Sequence, residues 1–235
     1  MSSQQNRQEE ILVLYGSQTG NSEQAAETLS TLIPTKLSTS SVTVTSKHMQ
    51  LDDFLEQRDA EWTSIIVIIT SSYGVGQAPL GCYKFRSLCN HINSQQGSDS
   101  ILQGIAFAML GLGDSKFTTF FENPTQIHKA LRMAGASHIG PLGKADASGD
   151  QLKVIDEWMQ GIIPVLADAV KNVKSDEEQR EKLKAAKKKT LSICYEIFDE
   201  FKFISKNDER STVDMLMKSA ILVAILAILF MLFGT

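Results

Sequence analysis

Short apolar runs alternate with amphipathic stretches up to residue 173, and the alternation stops there. Residues 11–15 (ILVLY), 65–70 (IIVIIT) and 105–110 (IAFAML) are apolar throughout except for the closing Thr70. Strands read this way when helices cover a parallel sheet on both faces. Residues 41–46 (SVTVTS) alternate like an edge strand, and 137–141 predict a short fifth strand. Helical spacing falls at 22–33, 50–58, 81–93, 123–134 and 150–172. This alternation predicts one α/β domain, and about 165 residues suffice for a single core. Trp62, Trp158 and the methionines of this region are expected to pack in it or at its edge.

Each of the three buried strands runs into a polar or glycine-rich loop. After the first come Gly16, Ser17, Gln18, Thr19, Gly20 and Asn21, followed at once by a helical segment. Backbone N–H groups, hydroxyls and a helix N-terminus together suit an anion. The loop has no Lys or Arg and lacks the GxxxxGK[ST] pattern, which excludes the usual nucleotide triphosphatase cradle. Alone, it is equally an ordinary strand–turn–helix capped by Thr19 or Asn21. The second loop holds Tyr73 and the third Phe117. In open parallel sheets, ligands sit outside the carboxyl ends of the strands. One loop for a phosphate and two flat side chains for a ring together describe a mononucleotide site.

At this point the sequence resembles the flavodoxin-like FMN domain of the diflavin reductases. The resemblance runs from about residue 11 to 166 and rests on YGSQTGN at 15–21, SSYGVGQAP at 71–79 and GLGDSKFTTFFENPTQIHKAL at 111–131. A fourth patch, GASHIGPLGKADASGDQLKVIDEW at 135–158, fits the family's last strand and the loop before its final helix. The resemblance implies a doubly wound, five-stranded parallel sheet in the order 2-1-3-4-5. It also implies that Ser17, Gln18, Thr19, Gly20 and Asn21 hold the FMN phosphate. Tyr73 would stack on one ring face and Phe117 on the other, where the family usually has Tyr. Gly74 would stand where a peptide flips toward the reduced ring, at no steric cost to glycine. From the same motifs Ser71, Ser72, Gly76, Leu110, Gly111, Leu112, Gly113 and Phe120 complete the cofactor site. Asp114 belongs to it with its role open.

The departures from the family also carry meaning. Val75, Gln77 and Ala78 are neutral where relatives are acidic, and the 143–149 loop keeps only Asp146 and adds Lys144. Less negative charge near the ring is expected to raise its potential. It also points to a partner other than a strongly basic haem protein.

Beyond residue 173 the composition changes. Residues 174–190 are dense in both charge signs, with acids before bases, and predict a solvated helical stalk. Leu191, Cys194, Ile197, Phe198, Phe201 and Ile204 share one helical stripe. It is expected to pack on the domain, since Glu196, Asp199 and Glu200 would face anionic lipid poorly. Residues 215–233 carry Lys218 as their one charge, and 220–233 are unbroken apolar, long enough with their flank to cross a bilayer. The expected organisation is a disordered 1–9, the FMN domain at 10–173, a charged helical linker at 174–214 and a transmembrane tail anchor at 215–235. The first ten residues have no apolar stretch of a signal peptide. The domain is therefore expected in the cytosol on the endoplasmic reticulum membrane, with the mitochondrial outer membrane as the alternative.

The remaining chemistry narrows the function. Cys82, Cys89 and Cys194 form no CxxC pair, and His48, His91, His128 and His138 have no metal-ligand spacing. A net charge of −4 argues against nucleic acid as a partner. Neither a dinucleotide fingerprint nor an iron–sulfur spacing is present. The expected function is a membrane-tethered electron shuttle. It would be fed by a separate FAD- and NAD(P)H-dependent reductase and emptied by a membrane-bound haem mono-oxygenase or desaturase. A flavin-free adaptor and an FMN-dependent quinone reductase are the alternatives.

Overall fold

A computed structural model of the chain describes residues 7–56, 62–95, 100–173 and 177–198. By contact density the chain divides into two units, residues 1–190 and 191–235. The first holds a parallel sheet of β1 (Arg7–Gly16), β2 (Val42–Gln50), β3 (Ile65–Ser71), β4 (Ala106–Gly113), β5 (Ser137–His138) and β6 (Gly143–Asp146). The order is β2-β1-β3-β4-β5, as expected, with β6 also pairing β4. Its helices are α1 (Asn21–Leu37), α2 (Leu51–Glu56), α3 (Tyr83–Ser94), α4 (Glu122–Met133), α5 (Gln151–Asn172) and α6 (Glu177–Ile197), the last running on into the second unit.

The continuous apolar runs have the cause predicted for them. Ile11, Val13, Val67, Ile69 and Leu110 pack with α1 and α5 side chains such as Leu29, Ile33, Ile162 and Leu166. The alternate residues Leu12, Leu14, Ile66, Ile68 and Met109 are buried on the opposite face. The cysteines behave as packing thiols. Burial pushes Cys82 and Cys194 up to about 12 and Cys89 well above its ordinary value.

Several boundaries differ from the expected ones. β1 begins at Arg7, so residues 7–9 are strand, while 1–6 lie outside the described residues. β2 continues to Gln50, and its polar residues pair with those of β1, from Arg7↔Val42 to Tyr15↔Gln50. As an edge strand β2 has one side free, so it keeps Lys47, which pairs with Glu10 at 2.9 Å. α1 passes through Pro34 to Leu37, because Leu37 is buried and Ser38 N still donates to Pro34 O at 3.2 Å. The expected fifth strand at 137–141 is shortened to Ser137–His138 and a further strand, β6, follows it, so the sheet has six strands among the described residues. β5 pairs with Ala106 and Phe107, β6 with Leu110 to Gly113, and the gap contains Pro141, which has no N–H to donate.

α6 is the helix expected after residue 173, but its first part is not a free stalk. Gln179 Nε2 donates to Gly104 O at 2.7 Å and to Ser64 Oγ at 3.0 Å, at the N-terminal edge of the sheet. Ala186 and Thr190 on the same stripe are buried. Charged residues pair along the helix, Lys182–Glu178 (2.7 Å) and Lys184–Glu181 (2.8 Å), and Lys182 borders the same cavity as Gln179, Ser64 and Gly104. At the same edge Arg7 Nη1 donates to Val173 O at 3.3 Å and Nη2 donates to Val170 O, satisfying carbonyls at the end of α5. In the second unit Cys194 is buried, and Phe201, Ile204 and the expected anchor at 215–235 lie outside the described residues. Among the described residues no helix is long and apolar enough to cross a membrane.

His128 of α4 and His138 of β5 meet edge to face at 4.7 Å, both against Phe107. Neither Nε2 has a hydrogen-bond partner. Burial lowers both pKa values from 6.5, Arg132 adds to the effect on each, and His128 adds to it at His138. The unfolded chain therefore takes up protons first, and stability falls as the pH drops below about 6.5. A urea midpoint that decreases from about pH 7 to 5.5, with the decrease blunted in His138→Phe, is the expected result.

Candidate functional site

The order of the sheet reverses between β1 and β3, since the chain leaves β1 for β2 on one side and then crosses to the other. A cavity of about 390 Å³ opens beyond the carboxyl ends of these strands and β4. That volume falls within the range of small-molecule sites, roughly 300–1,000 Å³. Gln18, Thr19 and Asn21 border it from the β1 loop, and Ser71, Ser72, Tyr73 and Gly74 from the β3 loop. Leu112, Gly113, Asp114, Phe117 and Phe120 border it from the end of β4 and the loop that follows.

The other five predicted residues do not line the cavity. Ser17 Oγ instead accepts from Gly20 N at 3.0 Å, and Ser17 N donates to Leu80 O at 3.1 Å, which holds the first loop in shape. Gly20 adopts φ +95°, a conformation that suits glycine. A Cβ on Gly76 would lie 2.9 Å from Glu122 Cβ, so Gly76 serves the approach of its loop to α4. Leu110 and Gly111 are enclosed within β4, with Phe121 and Pro124 packed against Gly111. Four lining residues escaped the sequence reading: Ser22, Thr119, Ala147 and Gln151. Ser22 sits one position past the quoted first motif, and its inward direction follows only from the start of α1.

The first loop is built to receive an acceptor-rich group. α1 starts at Asn21 with Gly20 as N-cap and no side-chain cap, so neither Thr19 nor Asn21 closes its first turn. Ser22 Oγ and Gln18 Oε1 are buried without partners. A phosphate at the helix N-terminus would accept from the Ser22 hydroxyl and the free N–H groups, and the Gln18 amide offers a donor and an acceptor beside it. Tyr73 and Phe117 stand half exposed on the other two loops. The donor set and the aromatic pair fit FMN.

Hydrogen bonds fix the loops to one another. Gln151 Nε2 donates to Ala145 O at 3.0 Å and Gly113 O at 3.3 Å, while its Oε1 accepts from Asn21 Nδ2 at 3.1 Å. Asp146 Oδ1 accepts from Ser115 N at 3.0 Å and Ser148 N at 2.9 Å. The Ser115 hydroxyl, and then these N–H groups, hold the Asp146 carboxyl well below its ordinary range. Behind the second loop Asn123 is fully buried. Its Nδ2 donates to Ser71 O at 2.9 Å and Thr70 Oγ1 at 3.2 Å, its Oδ1 accepts from Arg86 Nη1 at 2.9 Å, and its N donates to Ser72 Oγ at 3.0 Å. Gly74 has φ +53°, and its carbonyl accepts from Thr119 Oγ1 at 3.4 Å.

The flavodoxin family model matches residues 13–158, spanning all three loops. The chain belongs to the flavodoxin family. It is an FMN domain, similar to the FMN module of diflavin reductases. It is 33% identical over 162 residues to NADPH–cytochrome P450 reductase of Saccharomyces cerevisiae, covering 67% of this chain and 21% of that protein. Methionine synthase reductase of Caenorhabditis elegans is 27% identical over 158 residues, 67% of this chain and 22% of that protein. Pyruvate dehydrogenase [NADP(+)] of Cryptosporidium parvum is 30% identical over 164 residues, 68% of this chain and 8% of that protein. The chain thus spans between 8% and 22% of the length of these three relatives. Among solved structures, a cysteine-to-serine mutant of flavodoxin from Pseudomonas aeruginosa shares the fold, with TM-score 0.51 and 18% identity over 67% of this chain and 98% of that one. This flavodoxin domain carries its cavity where the fold's switch point lies.

Proposed function

We propose that this protein is a membrane-anchored FMN electron carrier, which takes electrons from a separate NAD(P)H-dependent FAD reductase and delivers them to a membrane-bound acceptor of the haem mono-oxygenase or desaturase type. One observation carries the reading: an uncapped, cation-free helix N-terminus and two half-exposed aromatic side chains border one cavity. Bound FMN supplies the redox chemistry there. The chain's own part is to bind and orient. Ser22, Thr19 and the first turn of α1 hold the phosphate end, and Tyr73 and Phe117 flank the ring end. Gln151 sets the separation of the two loops.

The diflavin relatives support the source of electrons: one is named NADPH-dependent diflavin oxidoreductase 1 (Aspergillus fumigatus), of which this chain matches 22%. The apolar run at 215–233 supports the anchor, and we place the domain on the cytosolic side of the endoplasmic reticulum membrane. Confinement to one surface raises the effective concentration of carrier and acceptor.

The visible spectrum of the purified full chain, followed by anaerobic photoreduction, tests the core of this reading. Flavin absorbance at one per chain and two resolved reduction potentials are expected. A colourless protein that ignores added FMN overturns it, and unaided oxidation of NAD(P)H would assign a reductase instead. The neutral second loop yields a further prediction. Carboxylates placed at Val75 and Gln77 lower the potential by about 50 mV, since each adds a negative charge near the ring and exposure screens part of its field. Redox titration of the double variant checks this.

A further inference from the structure

α3 starts without a cap of its own. Its N-cap residue is Cys82, which is fully buried and whose side chain makes no capping bond. A carboxylate from another element fills the role. Asp52, in the first turn of α2, accepts from Tyr83 N through Oδ2 and from Phe85 N through Oδ1, both at 2.9 Å. These N–H groups are among those that a helix leaves free at its start, where a negative charge also meets the positive end of the dipole. The backbone of Asp52 completes the clasp, since its N donates to Gly81 O at 2.9 Å. Residues 81, 83 and 85 are thus all held by one residue of α2.

The held segment backs onto the first loop of the cavity. Leu80 O accepts from Ser17 N at 3.1 Å, and Ser17 Oγ accepts from Gly20 N at 3.0 Å, at the N-cap of α1. A Cβ on Gly16 would lie 2.6 Å from Cys82 Cβ and 3.2 Å from Pro79 Cγ, so residues 79–82 pack directly on the start of that loop. The earlier half of the same connection is held from another side. Tyr73 N donates to Gln77 O at 3.0 Å, Gln77 N to Tyr73 O at 2.7 Å and Ser72 N to Leu112 O at 3.0 Å. Asn123 of α4 holds Ser71 O and Ser72 Oγ. The ring end of the site therefore rests on β4 and α4, and the phosphate end on α2 and α3.

Building on the reading that the first loop and α1 receive the phosphate, we propose that Asp52 is a positioning residue for that loop. By clasping the start of α3 it fixes Leu80 O, and through it Ser17 and Gly20, in the arrangement that accepts a phosphate. Asp52 stands outside the cavity lining and acts only through the backbone. Its effect falls on the phosphate end, so the preference for FMN over riboflavin, which has no phosphate, depends on it.

The affinities of the flavin-stripped full chain in detergent for FMN and for riboflavin, each read from quenching of flavin fluorescence, test this. Asp52→Ala is expected to weaken FMN about tenfold and riboflavin less than about twofold. Asp52→Asn keeps one acceptor oxygen, and its preference for FMN is expected to fall by about threefold. Glu56→Gln breaks another tie between α2 and α3, the ion pair with Lys84, and is expected to leave the preference unchanged. Equal weakening of both flavins by Asp52→Asn, no weakening at all, or as large a loss of preference in Glu56→Gln overturns the proposal. The asparagine variant decides the matter even if alanine prevents folding. Failure of the underlying reading shows separately, as an unaltered chain that binds FMN no more tightly than riboflavin.

Discussion

Gly111→Ala is expected to destabilise the domain by about 3 kcal/mol, the upper end of what overpacking a core costs. Gly111 pairs with Thr70 on one side and Lys144 on the other, in the middle of the sheet. An alanine Cβ would overlap the buried Phe121 ring and come within 2.8 Å of Pro124 Cβ. Neither neighbour can yield easily. Phe121 already holds φ +66°, a left-handed conformation that costs a bulky residue about 1–3 kcal/mol, and Pro124 is fixed in the first turn of α4. A shift of α4 would also carry Phe120 away from the cavity wall. Urea unfolding of Gly111→Ala, with FMN binding measured in parallel, is expected to show both losses. Gly149→Ala, with only Asp146 O near the new Cβ at 3.9 Å, should leave stability nearly intact.

Asn123→Ala removes about 2–3 kcal/mol by a different route, because it leaves buried partners unsatisfied. Arg86 loses the acceptor that Asn123 Oδ1 provides, and Ser71 O and Thr70 Oγ1 lose a donor. The second loop then hangs on the backbone bond from residue 123 to Ser72 Oγ alone among the contacts of that residue. Flavin affinity should drop about tenfold as Ser71, Ser72 and Tyr73 lose their fixed positions. Combining the change with Arg86→Leu distinguishes the two costs: a coupling of about 1 kcal/mol or more between the sites is expected if the guanidinium is the stranded group.

The strands that form the heart of the sheet were legible because Ile11 to Tyr15, Ile65 to Ile69 and Phe107 to Leu110 are covered on both faces, which demands apolar residues at every position. The ends of β1 and β2 were not. Gln8, Glu9 and Glu10 pair with Thr43, Val44 and Thr45 through the backbone, and hydropathy carries no trace of such pairing. The docking of α6 was hidden in the same way, since the Gln179 amide and the small side chains of Ala186 and Thr190 that meet the domain are scattered through a charged run. For the site, the loops were readable as motifs, but not the direction of each side chain. Ser17 lies in the motif and turns inward on its own loop, while Gln151 lies outside all three loops and reaches across to two of them. A residue that acts from a distant element leaves no local pattern to find.

The clasp of Arg7 on the last carbonyls of α5 has a consequence for how this fold travels. It brings residues 7 and 173 side by side, at the edge away from the cavity. A body of strands and helices whose ends adjoin, as β1 and α5 do here before α6 packs on them, can be spliced into a longer polypeptide at a single point, like a cassette, without threading any strand past its ligand. The same property makes it a good subject for circular permutation. A chain joined from 173 to 7 by a short linker and reopened at the exposed turn of residues 38–41 would give up α6 and the bonds of Gln179 to Ser64 and Gly104, but would keep every loop of the site on its own strand.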